Sequence, residues 1–322
     1  MKTRLTERLG IAHPVIQAPM AFAAGGALAK AVSKAGALGM IGGGYGDAAW
    51  IEEQFAVASG GRIGCGFITW ALAEKPELLD QAIELGAAAI FLSFGDPAPF
   101  AEKVRLADVP LICQIQTLRD ARRAIEVGAD VIVAQGAEAG GHGETRGTMA
   151  LVPEIADEIA RAGSAAVLCA AGGIADGRGL AASLMLGADG VVVGTRFWAA
   201  AEALAHPKIV AAALSADGDA TLRTRVVDIV REIKWSERYS GRVLSNAFIQ
   251  RWHGHENQLV RGIKVEAASW VRAQESGDTT IAAPFVGEAI GLVHDAPGAE
   301  DIVYSIVTSS RKLLACFDNV EA

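Results

Sequence analysis

Short apolar runs recur along the first two thirds of the chain, separated by segments whose apolar residues follow the helical period. The runs lie at residues 13–20, 38–44, 62–70, 88–94, 109–117, 128–136, 165–173 and 188–197. Successive starts are 25, 24, 26, 21, 19, 37 and 23 residues apart, which is the spacing of repeated strand–helix units. Eight such units predict an α/β protein whose parallel strands close into a (β/α)8 TIM barrel, and a doubly wound open sheet is the alternative.

The segments between the runs support this alternation of strands and helices. Residues 27–36, 76–86 and 118–128 show helical periodicity and end in glycine, a residue that often terminates helices. The longest interval follows the sixth run and contains AQGAEAGGHGETRGTMALVP, which is longer than a turn requires. Because long loops at the carboxyl ends of barrel strands usually carry function, we expect chemistry there.

The strand rhythm ends near residue 200, and the pattern then predicts three regions. These are a barrel at 1–204, a helical cap subdomain at 205–280, and C-terminal helices that return to the barrel at 281–322, the last starting near Pro297. The predicted cap helices are 220–233, 246–251 and 263–273.

The segment 234–248, KWSERYSGRVLSNAF, is rich in aromatic and hydrogen-bonding residues, and we interpret it as a helical cover over the barrel mouth. The pattern leaves open the roles of Trp235, Tyr239, Arg242 and Asn246. Arg242 is equally suited to an anionic substrate and to a structural ion pair with an acidic neighbour.

Composition excludes several classes of partner. The chain has 322 residues, is 51% hydrophobic with mean hydropathy +0.30, and contains 37 glycines, as suits parallel strands buried on both faces. Its net charge is -8 and it has no Lys/Arg cluster, so we expect neither nucleic acid nor membrane partners. The absence of a signal-like apolar core predicts a cytoplasmic protein. A homo-oligomer is left open.

Cysteine and histidine spacing predicts no metal site. Cys65, Cys113 and Cys169 lie inside apolar runs, where cysteine is a small buried hydrophobe, and no CxxC pattern occurs. His253 and His255 lie in a polar helical stretch and are interpreted as part of a solvated face.

Two glycine turns follow the seventh and eighth runs, at Gly172-Gly173 and at Gly194-Thr195. Bare backbone N–H groups at such turns, with the N-terminus of the next helix, can hold a phosphate. The alternative interpretation is that both are ordinary strand–helix turns without a ligand, and that each needs glycine because its backbone adopts a positive φ. The tandem arrangement and the Thr195 hydroxyl favour a phosphate-bearing cofactor.

His142 is the strongest candidate for a catalytic residue. It lies in a Gly-Gly-His-Gly sequence beyond the sixth run, where its glycine neighbours give the imidazole little steric cover. Its pKa near neutrality suits proton abstraction from a weak carbon acid or a hydrogen bond to an anionic substrate, and a polar loop histidine without a role is the alternative. Glu138, four residues earlier, is either the group that orients this imidazole or a surface carboxylate. Gln135 offers an amide suited to the edge of a heterocycle.

Polar or unusual residues also end several other runs. They are Pro19 and Met20 in QAPM, Thr69 and Trp70 in GFITW, Ser93 in FLSFGDP, and Gln114 and Gln116 in LICQIQT. Met20 is polarisable and suits the face of a flat ring, although it can equally be ordinary core. Polar side chains near the carboxyl ends of barrel strands usually face a ligand.

Four motifs together resemble the nitronate monooxygenase family, formerly called 2-nitropropane dioxygenase. They are QAPM at 17–20, QGAEAGGHG at 135–143, AAGGIADGRG at 170–179 and GADGVVVGTRF at 187–197. The resemblance extends over nearly the whole chain, and the third motif joined to the second is its most specific part. It implies a flavoprotein with a TIM barrel that binds FMN.

The resemblance also implies roles for individual residues. It makes His142 the catalytic base. The implied FMN contacts are Ala18, Pro19, Met20, Gln135 and Gly140 around the ring, and Gly172, Gly173, Gly194 and Thr195 at the phosphate. Many relatives have asparagine near the end of the third strand and some have lysine in the fifth. Here Thr69 and Gln114 are the corresponding residues. We expect the asparagine contact to be lost or replaced by Thr69, and Gln114 to contact the cofactor without the positive charge of lysine.

The leading functional hypothesis is therefore FMN-dependent oxidation of alkyl nitronates, and of nitroalkanes, by O2 to a carbonyl compound and nitrite. An NAD(P)H-dependent FMN reductase acting on quinones or enoyl thioesters is the alternative, although no separate GxGxxG dinucleotide motif is present. A flavin-free barrel that binds a phosphorylated metabolite is a third hypothesis. Such an enzyme would be expected to show paired carboxylates or a strand-end lysine.

Overall fold

The computed structural model describes residues 1–317 and contains eleven strands in two sheets. The strands are β1 Val15–Gln17, β2 Gly39–Gly44, β3 Ile63–Ile68, β4 Ile90–Ser93, β5 Leu111–Ile115, β6 Val131–Gln135, β7 Gly141–Gly143, β8 Val167–Ala171, β9 Gly190–Val193, β10 Thr221–Thr224 and β11 Ser240–Leu244.

Eight parallel strands form the barrel in the order β1-β9-β8-β6-β5-β4-β3-β2. The barrel closes between β1 and β2, where Ile16 and Leu38 form a parallel bridge. Each predicted apolar run contains one of these strands, so the TIM barrel prediction is confirmed and the open-sheet alternative is wrong. Such a closed barrel brings all its carboxyl strand ends to one face.

Helices surround the barrel and continue after it. The first group is Arg4–Leu9, Gly26–Lys34, Ala48–Val57, Thr69–Leu72, Glu77–Glu84, Ala98–Leu106, Leu118–Glu126, Thr148–Arg161, Gly177–Met185 and Thr195–Trp198. The second is Pro207–Leu214, Val226–Val230, Ala247–Trp252, Glu256–Arg261, Ile263–Ser276 and Ala299–Phe317, with short 3-10 helices at Gly218–Ala220 and Glu288–Leu292. Several starts are set by side-chain caps; Thr117 and Asp176, for example, accept hydrogen bonds from first-turn N–H groups.

Hydrophobic residues fill both sides of the barrel wall. Inside it, Ile16 and Phe91 belong to one buried cluster with Leu5 and Leu9 of the N-terminal helix, which close the amino end. The contact is tight because Gly190 has no side chain: a Cβ there would lie 2.3 Å from the Leu5 Cδ2 atom. A larger cluster packs the helices against the outer strand faces. The carboxyl end is thereby left as the open face.

The cap differs from the predicted set of helices. Residues 220–233 are not one helix, because β10 precedes the short helix Val226–Val230, and 234–248 contains β11. Strand β11 pairs antiparallel with both β10 and β7, so the cap shares a sheet with the barrel loop. These strands are short, β7 and β11 contain glycine, and their partners are distant in sequence, which a local pattern does not report.

The other cap helices and the last helix lie where the pattern predicted them. Residues 246–251 and 263–273 correspond to Ala247–Trp252 and Ile263–Ser276, and the final helix begins at Ala299, close to Pro297. Between them, the part of the predicted C-terminal helical region that precedes the last helix contains the 3-10 helix Glu288–Leu292 instead of an α-helix. Of the predicted region 281–322, residues 318–322 lie outside the described part of the chain.

Three of the four cysteines are buried strand residues, as the pattern predicted. Burial raises the pKa of the Cys65 and Cys113 thiols to about 12, so neither is a thiolate at neutral pH. Within residues 1–317, three or more metal-ligating side chains do not cluster anywhere. None of the helices in this same range is both long and apolar enough to cross a membrane.

The outer core gives a direct stability prediction. Replacing fully buried Leu79 with alanine is expected to destabilise the protein by about 2–5 kcal/mol, because apolar contacts are lost and a cavity remains. The same change at Leu106, which is 72% exposed, is expected to cost less than about 0.5 kcal/mol. Urea unfolding at a constant m-value measures both. Equal losses of unfolding free energy in the two variants would contradict the placement of Leu79 in the core and of Leu106 at the surface.

Candidate active site

A cavity of about 1110 Å³ lies at the carboxyl ends of the barrel strands, under the cap. Its wall includes every residue for which the sequence predicts catalysis or an FMN contact except Thr69, whereas the strand-end candidates Trp70 and Gln116 do not line it. Those lining residues are Ala18, Pro19, Met20, Gln114, Gln135, Gly140, His142, Gly172, Gly173, Gly194 and Thr195. Residues spread over the whole barrel sequence therefore face one space.

The segment after β1 lies flat against the barrel because neighbouring strands have glycine at the contact points. A Cβ on Gly66 would lie 2.3 Å from the Pro19 Cβ atom, and one on Gly42 would lie 2.4 Å from the Met20 carbonyl oxygen. Gln17 fixes the segment, because its amide donates to the Ala18 carbonyl and accepts from the Met40 N–H at 2.9 Å. This makes a rigid, largely apolar floor.

The first glycine turn requires glycine. Gly172 and Gly173 have φ values of 101° and 73°, a region that side chains strongly disfavour. The Gly172 carbonyl accepts from the Thr148 hydroxyl at 3.1 Å, while the Gly173 N–H donates to no protein group within residues 1–317. The next helix is capped by its own Asp176 carboxylate, so the loop N–H groups, rather than that helix end, are available to an anion.

The second turn provides open space beside the first. A Cβ on Gly194 would meet only the Ala18 Cβ at 3.7 Å and the Met20 Sδ at 4.0 Å, and its φ is an ordinary −102°. In the described chain the Gly194 N–H also lacks a protein acceptor. The Thr195 hydroxyl accepts from the Gly287 N–H at 2.9 Å, which leaves its own O–H free to donate to a ligand.

Three glutamines form a polar patch on the wall. The Gln135 side-chain oxygen accepts from the Gln114 amide at 3.1 Å and from the Gln116 amide at 2.7 Å. The Gln135 NH2 group is thus directed away from its neighbours, and both Gln135 and Gln114 face the cavity. Gln116 lies behind them and does not line it. The patch can donate hydrogen bonds to a heterocyclic edge.

His142 is held from three sides. It lies in β7, opposite Gly241 of β11, and is only 8% exposed. Its Nε2 atom lies 2.8 Å from Oδ1 of Asp228, in the helix Val226–Val230. The Trp235 ring stacks on the imidazole with centroids 3.5 Å apart and planes 7° apart. Burial lowers the pKa of His142 below its usual value, with the Asp228 carboxylate opposing the shift.

The cap wall of the cavity is aromatic and carries one cation. The Trp235 N–H donates to the Tyr45 hydroxyl at 3.1 Å, which joins the cap to the loop after β2. The Arg231 guanidinium lies 5.3 Å from the centre of the Tyr45 ring and 5.7 Å from that of Phe22. Arg231 lines the cavity and forms no carboxylate ion pair within residues 1–317. It is therefore available to an anionic ligand.

Several expectations about individual side chains need correction. The Glu138 carboxylate binds the Thr148 N–H and hydroxyl and does not orient His142. The imidazole is also less open than its glycine neighbours suggested, because Trp235 covers it from a distant part of the chain. Thr69 is buried at the start of the helix after β3 with its hydroxyl unpartnered, and it is not among the residues that line the cavity. Its contact with a flavin stays a prediction.

The four open cap residues have distinct roles. Trp235 lines the cavity, and Tyr239 is buried against Trp235 and Phe94. Arg242 forms an ion pair with Glu288 at 2.8 Å, which is the structural alternative rather than substrate binding. Asn246 accepts from the Ile249 N–H and caps a helix.

Sequence reasoning missed Asp228 and Arg231. Asp228 is the single charged residue of VVDIV, and a lone carboxylate in an apolar helical turn is the signal that could have identified it.

Comparisons with known proteins show the family and the fold of this chain. The family described as Nitronate monooxygenase matches residues 2–60 and 71–309. A nitronate monooxygenase of Neurospora crassa is 33% identical over 92% of this chain and 89% of its own length. The structure of FabK from Thermotoga maritima superposes with a TM-score of 0.87 and 27% identity, covering 100% of both chains.

A nitroalkane oxidase from Streptomyces ansochromogenes has the same fold, with a TM-score of 0.80 and 23% identity over 98% of this chain and all of its own. The match of the family over most of the chain, together with the Neurospora relative, establishes what the barrel and its motifs indicated. This chain is an oxidoreductase that belongs to the nitronate monooxygenase family.

Proposed function

We propose that this protein binds FMN in the cavity and oxidises alkyl nitronates with O2 to a carbonyl compound and nitrite. The observation that carries the proposal is that one cavity combines two free glycine N–H groups, a hydrogen-bonding glutamine patch and a buried histidine. The family match and the Neurospora nitronate monooxygenase support the choice of substrate.

The residues present fit FMN at both of its ends. The N–H groups of Gly173 and Gly194, with the Thr195 hydroxyl, suit a phosphate, and the open space above Gly194 leaves room for it. Ala18, Pro19 and Met20 would lie under the ring, with Gln135 at its edge. When bound, FMN supplies electron-transfer chemistry that no side chain here provides.

His142 would act as the base for neutral nitroalkanes. Because its pKa lies below the usual value, the imidazole is unprotonated at neutral pH and can accept the proton on the carbon next to the nitro group. A nitronate has already lost that proton and does not need the base. The apolar floor and the aromatic cap would exclude water around this transfer.

Arg231 would attract the anionic nitronate. Replacing it with methionine keeps the apolar stem and removes the charge, and we expect KM for a nitronate to rise about 10-fold with little change in kcat. A charge-assisted hydrogen bond contributes about 1.5–3 kcal/mol, and 1.4 kcal/mol is a factor of ten. Initial rates at varied nitronate concentration measure the effect.

Arg251→Met is the matched control, because Arg251 also lies over an aromatic ring but outside the cavity. An unchanged KM in Arg231→Met would remove this role.

A reductase that uses NAD(P)H on quinones or enoyl thioesters is the second candidate function. The size of the cavity favours it, since the lining extends from His142 to Trp270 and Val271 of the helix Ile263–Ser276, well beyond the needs of a small nitronate.

Simultaneous measurement of O2 uptake and nitrite release tests the leading proposal against the second. With a nitronate as the only reductant, we expect both to proceed. O2 uptake or quinone reduction that requires NADH or NADPH, with no nitrite from nitronates, would select the reductase instead.

A further inference from the structure

Asp228 is a buried carboxylate directed at the proposed base. It is 4% exposed, and four apolar residues of the same short helix surround it in sequence. An ionised carboxylate in such a place is strongly destabilising unless it is paired, and within residues 1–317 its one ion-pair partner is His142. The pair therefore has a purpose beyond packing.

The two imidazole nitrogens differ in their surroundings. Nε2 is engaged by Asp228 Oδ1 at 2.8 Å. Nδ1 makes no protein hydrogen bond in the described chain and is not among the fully buried unpartnered atoms, so it is open to the cavity that His142 lines. The Trp235 ring stacks on the face of the imidazole rather than on its edge. Only Nδ1 is free to meet a substrate.

We propose that Asp228 is a positioning residue that keeps the proton of His142 on Nε2 and the lone pair on Nδ1, which makes Nδ1 the basic atom toward nitroalkanes. This inference rests on the proposed function. In the step, the bond between the substrate α-carbon and its proton breaks, an Nδ1–H bond forms, and the electron pair remains on the substrate as the nitronate. The imidazolium that results is stabilised by the Asp228 carboxylate.

Other charged groups around the pair modulate this arrangement without replacing it. Arg231 at the end of the same helix and Arg223 of β10 oppose protonation of the imidazole. The Tyr45 hydroxyl lies near Asp228 and Arg231, and burial raises its pKa, so it stays neutral. The second Asp228 oxygen, Oδ2, is buried without a partner, which keeps that carboxylate a strong acceptor for Nε2–H.

The test uses the purified holoprotein and two independent readouts. The first is nitrogen NMR of histidine-labelled protein, with the His142 signals assigned by their loss in His142→Ala. We expect protonated Nε2 and unprotonated Nδ1 at neutral pH, and a His142 titration that moves to lower pH in Asp228→Asn. The opposite tautomer in the wild-type protein would overturn the proposal, whether or not any variant folds.

The second readout is turnover of a nitroalkane and of its preformed nitronate. Asp228→Asn is expected to lower kcat for the nitroalkane about 100-fold and to leave nitronate turnover within about 2-fold. The acid limb of the nitroalkane pH profile should also move to lower pH.

Glu237→Gln, the same change of charge at an exposed side chain, is the control. Equal losses on both substrates, or no loss, would overturn the positioning role. Failure of the wild-type protein to oxidise any nitronate would instead refute the proposed function, and the NMR result would still decide the tautomer.

Discussion

Replacing His142 with alanine is expected to abolish turnover of neutral nitroalkanes while sparing much of the turnover of nitronates. General base catalysis contributes about 10²–10⁴-fold, and nitroalkanes alone need it, because their α-proton must be removed first. Nitrite release from matched pairs of a nitroalkane and its nitronate measures the split. Equal loss with both substrates would contradict the role of His142 as a base.

Two further comparisons sharpen this result. His255→Ala makes the same substitution at an exposed histidine of the cap and is expected to change neither activity. Because burial lowers the pKa of His142 below its usual value, the wild-type nitroalkane rate should rise with pH and reach its plateau below the range of a free histidine. The nitronate rate should not show this rise with pH. If the rates with both substrates rose with the same pH dependence, the titrating group would not be the base that nitroalkanes alone require.

Replacing Gly194 with aspartate is expected to yield a folded protein that has lost most of its flavin. Backbone strain is not the cause, since φ at this position is negative and a Cβ there meets only ordinary contacts. The added carboxylate would instead occupy the space proposed for the phosphate and repel it. Juxtaposed like charges cost several kcal/mol, so FMN affinity should fall by about 100-fold or more.

Gly194→Ala is the matched control, because it adds the Cβ without the charge and should retain flavin. Titration of the apoprotein with FMN, followed by flavin fluorescence, gives both dissociation constants, and thermal unfolding checks that each variant is folded. If the aspartate variant bound FMN as tightly as the wild-type protein, the phosphate would have to lie away from this turn.

The barrel was predictable because its signals are local. Each strand is a short apolar run, and turns such as Gly172-Gly173 require a conformation that glycine alone adopts easily. Once eight such units are counted, the barrel brings their carboxyl ends together, so residues as distant as Met20 and Thr195 could be assigned to one site.

What could not be predicted depends on contacts between distant segments. The partner of His142 is 86 residues away, whereas Glu138 was considered because it is near in sequence. Strand β7 is a strand because β11 pairs with it, and nothing within Gly-His-Gly indicates that. Thr69 was aligned with a family position, but it is buried at the start of a helix and is not among the residues that line the cavity.

Anaerobic mixing of the purified protein with a nitronate tests the central claim most directly, followed at about 450 nm, where bound flavin absorbs. A yellow protein whose absorbance is bleached by the nitronate, and not by NADH or NADPH, is the predicted result. A colourless protein that takes up no added FMN, or a flavin that only a pyridine nucleotide bleaches, would contradict it.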